Sequence, residues 1–144
     1  MGYTHYWNFK KNPKDTENGD QKFAKAVKML SEGIAQYLND IKLGDARGEG
    51  EPIINETSVI FNGSAENGED YETFYIVLDD PKDYGFNFCK TARMPYDPVV
   101  CFALLCFKDA FGDDFDYSSD GYITDDGWKK ANEVFDKIRI SNAD

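Results

Sequence analysis

The chain holds a single histidine, His5, and three cysteines, Cys89, Cys101 and Cys106, with no CxxC pair among them. The spacings that build zinc sites are therefore missing, and neither a metal nor a cofactor is expected. An odd number of cysteines on apolar stretches reads as free thiols buried in a reducing compartment, not as a disulfide framework. Also missing are a Walker A loop, a GxSxG elbow and an HExxH helix, so no catalytic residue set stands out. Cations are scarce: 16 Lys and Arg stand against 27 Asp and Glu, a formal charge of −11. That field repels nucleic-acid backbones over a Debye length of about 10 Å, which disfavours general nucleic-acid binding. No apolar run exceeds the nine residues Val99 to Phe107, about half of what a membrane-spanning helix needs. No basic segment leads into an apolar stretch at the start of the chain, and the expectation is a cytoplasmic protein without a membrane segment.

What is abundant is aromatic bulk. Eleven Phe, nine Tyr and two Trp among 144 residues can fill the interior of a domain that buries roughly two-thirds of its unfolded surface. Tyr3 to Phe9 alternates, with Tyr3, His5, Trp7 and Phe9 on one side, and predicts a strand. Phe23, Val27, Leu30, Ile34, Leu38 and Ile41 recur at helical spacing, with Asp20 as N-cap, Gly44 past the end, and Gly33 a mild interior weakness. Thr57 to Phe61 and Glu72 to Leu78 predict an antiparallel hairpin, and Phe86 to Thr91 a further strand. Asp97-Pro98 reads as cap and first turn of a centrally buried helix through Ala110, stopped by Gly112. Phe115 to Ser118 predicts an edge strand, and Thr124 or Asp125 caps a last helix presenting Trp128, Ala131, Val134, Phe135 and Ile138. The expected fold class is α+β, a small antiparallel sheet packed against about three helices in one domain over residues 1–144.

Lys90 and Arg93 stand three apart between a strand and a helix start. With helix N-terminal amides they form a candidate anion site, to which Thr91 and Tyr96 of the same segment belong. Ordinary ion pairs are the alternative. Ser118 and Ser119 could donate hydroxyls to a phosphate or sugar, with Asp120 beside them, while His5, Tyr6 and Trp7 could stack on a base or simply fill the core. Asp120, Glu72 and His5 are the residues from which an acid/base set would have to be assembled. Asp116, Ser118, Asp120, Gly121 and Thr124 match five positions of a calcium loop, but Gly127 stands where the closing glutamate belongs.

Taken together, Gly2-Tyr3-Thr4-His5-Tyr6-Trp7, Phe61-Asn62-Gly63, Glu72-Thr73-Phe74, Phe88-Cys89-Lys90-Thr91-Ala92-Arg93 with Tyr96-Asp97, and Ser118-Ser119-Asp120-Gly121 resemble a family of small bacteriophage and prophage proteins. The resemblance implies phage origin and work inside an infected bacterium, where counter-defence is a common theme, and it carries over no activity. The leading expectation is a protein that binds a phosphate-bearing small molecule and sequesters a nucleotide immune signal. The alternative is an acidic protein-interaction inhibitor of a host defence complex, mimicking nucleic acid; a phosphoesterase comes third. Self-association is open in each case.

Overall fold

The computed structural model describes residues 3–79 and 85–141. Strand β1 (Thr4–Phe9) is central in a three-stranded antiparallel sheet, flanked by β6 (Gly85–Lys90) and β7 (Phe115–Ser119). Its alternation has the expected consequence: His5, Trp7 and Phe9 are buried while Thr4, Tyr6 and Asn8 are only half-buried. A second small sheet is built on β4 (Ser58–Gly63), which pairs with β2 (Leu43–Gly44), β3 (Ile53–Asn55) and β5 (Phe74–Val77), all antiparallel. The predicted hairpin is the β4–β5 pair, with Phe61 opposite Phe74.

Three helices complete the α+β fold: α1 (Gly19–Tyr37), α2 (Asp97–Phe111) and α3 (Asp126–Ser141). Helix α2 is apolar nearly all round, so it can be covered on every side; it packs against both α1 and α3, and Val99 to Phe107 are buried without interruption. Phe107 sits among the rings of Phe9, Phe23, Phe111 and Phe115, with centroids 5.2–6.2 Å away. Cys89, Cys101 and Cys106 are free and buried. No helix among the described residues is long and apolar enough to cross a membrane.

Several boundaries differ from the sequence expectation, each for a local reason. Asp20 is not the cap of α1: Asn18 holds that position with a left-handed backbone (φ 56°) and no side-chain bond, and Asp20 pairs instead with Lys14 at 3.1 Å. The helix stops at Tyr37, four residues before Ile41, and Gly44 belongs to β2. Asp97 is the first residue of α2, after Tyr96 at the cap position, and its carboxylate turns inward. Asp125 does stand directly before α3, its carbonyl accepting from the Lys129 amide at 2.8 Å, but its carboxylate accepts from the Tyr122 amide behind it, at 3.0 Å, and from the Tyr3 hydroxyl. Strand β3 carries no periodic signal in the sequence, because its three residues hold a single inward-facing position.

Gly33 has a packing reason. A Cβ at that position would lie 2.2 Å from a ring carbon of Phe102, a fully buried side chain of α2. Gly→Ala in a helix interior ordinarily gains about 1 kcal/mol. Here Gly33→Ala is expected to lose about 1–3 kcal/mol in chemical denaturation, the usual cost of overpacking a core; a gain would show that α1 and α2 can move apart freely.

Candidate functional site

Where β1, β7, α2 and α3 meet, the core turns polar. His5 is fully buried, and its two nitrogens face Ser119 Oγ at 2.7 Å (Nδ1) and Asp97 Oδ1 at 2.6 Å (Nε2). Thr91 Oγ1 donates to the same Asp97 oxygen at 2.5 Å. Ser119 Oγ in turn accepts from the Gly121 amide at 2.9 Å and from Trp128 Nε1 at 3.0 Å. A hydroxyl oxygen has two lone pairs and one proton, so with both lone pairs engaged Ser119 gives its proton to Nδ1. That fixes His5 as the tautomer whose Nε2–H donates to Asp97. Cys101 Sγ closes the cluster, 3.6 Å from Nε2 and 3.8 Å from Asp97 Oδ2. Burial, followed by the Asp97 charge, pushes the Cys101 thiol well above its usual range, so it is no nucleophile.

The sequence Ser119, His5, Asp97 has the connectivity of a nucleophile, base and acid, yet the Ser119 oxygen has no lone pair free to attack. As it stands, the cluster is a hydrogen-bonded lock joining four elements. Its rim is formed by Tyr3, whose hydroxyl donates to Asp125 Oδ2 at 3.2 Å, and by Arg93, whose guanidinium lies 3.9 Å over the Tyr3 ring and 3.6 Å from the same carboxylate. Burial pushes the Tyr3 hydroxyl above its usual range, and the Tyr122 amide, with Tyr3 and Arg93, holds Asp125 below its own. Arg93 reaches that place because Ala92 and Arg93 both adopt left-handed backbone, φ 51° and 60°. Each such residue costs on the order of 1–3 kcal/mol, offset here by amide bonds from Thr91 and Ala92 to the Tyr3 carbonyl at 3.1 and 3.2 Å.

The opposite, outer face of the β6-β1-β7 sheet is open, and the strand registers lay it out as a grid. Lys90, Thr4 and Asp120 form one row; Phe88, Tyr6 and Ser118 the next; Phe86, Asn8 and Asp116 the third. Phe86 and Phe88 are 67% and 56% exposed. Tyr6 stacks on Phe86 with centroids 5.9 Å apart and donates its hydroxyl to Asp120 at 3.1 Å. Lys90 lies 5.7 Å over the exposed Tyr71 ring, which extends the patch.

The residues singled out from sequence thus divide between two faces. Tyr6, Lys90, Ser118 and Asp120 share the outer face; His5, Thr91 and Ser119 meet in the buried cluster; Arg93 stands at its rim. Ser118 and Ser119 point to opposite sides of β7, as neighbours on a strand must. Trp7 fills the core against Phe74, 4.9 Å between centroids, and buried Tyr96 donates to the Glu72 carbonyl at 2.5 Å. Glu72 accepts from the Lys90 amide at 2.8 Å, Asp120 from Thr4 and Tyr6, and His5 lies in its own network, so these three form no acid/base set. Asp116, Ser118 and Asp120 run at strand spacing along one face instead of wrapping around a point. Sequence reasoning missed Cys101, Asp97 as the partner of His5, Trp128, and the exposed Phe86 and Phe88. The last pair had a signal, two phenylalanines at strand spacing beside a cysteine that faces the core.

No family model matches the chain, and neither a curated protein nor a solved structure shows significant similarity to it.

Proposed function

We propose that the protein is a non-catalytic binding protein that docks a basic, arginine-bearing segment of another protein on the outer face of the β6-β1-β7 sheet. The observation that carries this reading is the exposure of Phe86 and Phe88 side by side on a regular strand. Adjacent solvent-exposed rings on a sheet face signal a docking surface, and a guanidinium stacks on such rings while its fork reaches a carboxylate. Asp116 and Asp120 line the far side of the same face. Asp116 already meets Lys10 and Lys108 at 3.6 and 3.4 Å, but exposed pairs contribute no more than about 1 kcal/mol and exchange readily. The charge of −11 steers a basic partner inward and a phosphate away. In the phage setting suggested by the sequence resemblance, such a partner is the nucleic-acid-binding surface of a host defence protein.

Capture of a phosphate-bearing small molecule draws on Lys90 and Arg93. Lys90 lies over Tyr71, Arg93 is held by Tyr3 and Asp125, and the hollows bordered by Arg93, Ser118 and Ser119 measure about 210 to 230 Å³. Small-molecule pockets run from about 300 Å³ upward.

Calorimetric titration with an arginine-rich peptide tests the proposal. Binding is expected to weaken with salt and to fall roughly tenfold or more in Phe86→Ser/Phe88→Ser, while Lys90→Ala leaves it unchanged or tightens it. Stoichiometric binding of a cyclic or linear nucleotide, lost in Arg93→Ala, would favour phosphate capture instead, and recovery of that nucleotide in cleaved form would make the protein a phosphoesterase.

A further inference from the structure

We infer that the buried cluster of His5, Asp97 and Cys101 is a binding site for one divalent cation of the zinc class. The donor atoms of these three residues lie within 4.8 Å of one another, all buried. In a tetrahedral site with bonds of about 2.0–2.3 Å, neighbouring donors stand about 3.4–3.6 Å apart. The Cys101 Sγ to His5 Nε2 separation is 3.6 Å and Sγ to Asp97 Oδ2 is 3.8 Å, so two edges of the tetrahedron are nearly in place. The 2.6 Å contact between Nε2 and Oδ1 is too short for both atoms to ligate. Asp97 therefore binds through Oδ2 and leaves Oδ1 with the Thr91 hydroxyl, the kind of outer support that ligating carboxylates receive.

Charge favours the same reading. A thiolate and a carboxylate against a divalent cation leave no net charge among buried side chains, where an unbalanced charge is costly. Gly127 packs its Cα directly against the cluster: a Cβ there would lie 2.0 Å from Asp97 Oδ2 and 3.6 Å from Cys101 Sγ, so any side chain at this position would collide with the site. The fourth ligand is a water molecule. Asp97 and Gly127 also line a surface hollow of about 230 Å³ with Arg93, Met94, Pro95, Pro98 and Asp126, which gives an ion and a water molecule their way in.

The protons balance as follows. The Cys101 thiol proton leaves to solvent, and the His5 proton moves from Nε2, which takes the metal, to Nδ1. Nδ1–H then donates to Ser119 Oγ. Since that oxygen already accepts from the Gly121 amide and from Trp128 Nε1, one of those donors is displaced, and the environment of the Trp128 indole changes with metal.

Cobalt(II) alone is the probe, added to reduced full-length protein both in its native state and during refolding, so that a slow entry path cannot hide a site. The expected result is one equivalent bound, with tetrahedral d–d bands, a thiolate-to-cobalt charge-transfer band and a change in tryptophan fluorescence that persists in Trp7→Phe. Cys101→Ser is expected to remove the charge-transfer band and weaken binding at least about tenfold, while Cys106→Ser leaves both unchanged. Wild-type protein that shows no charge-transfer band under either procedure overturns the site whatever the variants do. A band that survives in Cys101→Ser overturns it equally, as does binding by exposed carboxylates alone, seen as octahedral spectra.

Discussion

Replacement of His5 by alanine is expected to lower the unfolding free energy by about 3–5 kcal/mol, measured in urea with a chelator present. The size follows from what is left behind. Asp97 is buried and keeps only the Thr91 hydroxyl and the distant Cys101 thiol once the imidazole is gone, and the loss of a hydrogen-bond donor to a buried carboxylate adds to the cavity that the fully buried ring leaves behind. Ser119 loses the acceptor of its proton as well. Removing the carboxylate too should recover part of the loss. The double variant His5→Ala/Asp97→Ala is expected to be less damaged than the two single variants summed, by about 0.5–3 kcal/mol. A cost under about 1 kcal/mol for His5→Ala, or strict additivity, would mean that the cluster contributes packing alone.

Phe107→Ala is expected to cost a similar 3–5 kcal/mol, the range for deleting a fully buried aromatic ring. Its neighbours Phe9, Phe23, Phe111 and Phe115 come from three separate stretches of chain and cannot all close on the void at once. Phe88→Ala supplies the contrast: the same chemical change at a ring 56% exposed on the open sheet face should alter stability by no more than about 0.5 kcal/mol. Equal costs at the two positions would contradict the assignment of inner and outer faces.

Those two phenylalanines also show how far a sequence can be read. The periodicity of residues 3–9 predicts both the strand and its buried side, and the unbroken apolar run from Val99 predicts a central helix, because burial of apolar surface dominates the energy of each. Tertiary partners are a different matter. His5 and Asp97 are 92 residues apart, and His5 and Ser119 114; no local spacing encodes such pairings, so Asp97 reads as an ordinary cap next to a proline. The register that opposes Phe88 to Tyr6 and Ser118 is likewise set by long-range strand pairing. Helix α1 defeats local rules for a third reason. Its spacing continues to Ile41, but the chain leaves the helix at Tyr37 to reach β2, a tertiary demand that overrides propensity.

The central place of β1 also constrains when the protein can assume its structure. Both strands that pair with it, residues 85–90 and 115–119, are made long after it. At the usual pace of about 5–20 residues per second, roughly six to twenty-three seconds of synthesis separate His5 from Ser119. Until residues 85–90 are made, a segment carrying Trp7 and Phe9 waits without either neighbour, and until residues 115–119 follow it keeps one open edge, able to engage other strands or a chaperone. Such non-local pairing also slows closure once the chain is complete. A ribosome-bound chain should therefore remain sensitive to protease near residues 4–9 until the segment of β7 has emerged, a lag that pulse-labelled translation can time.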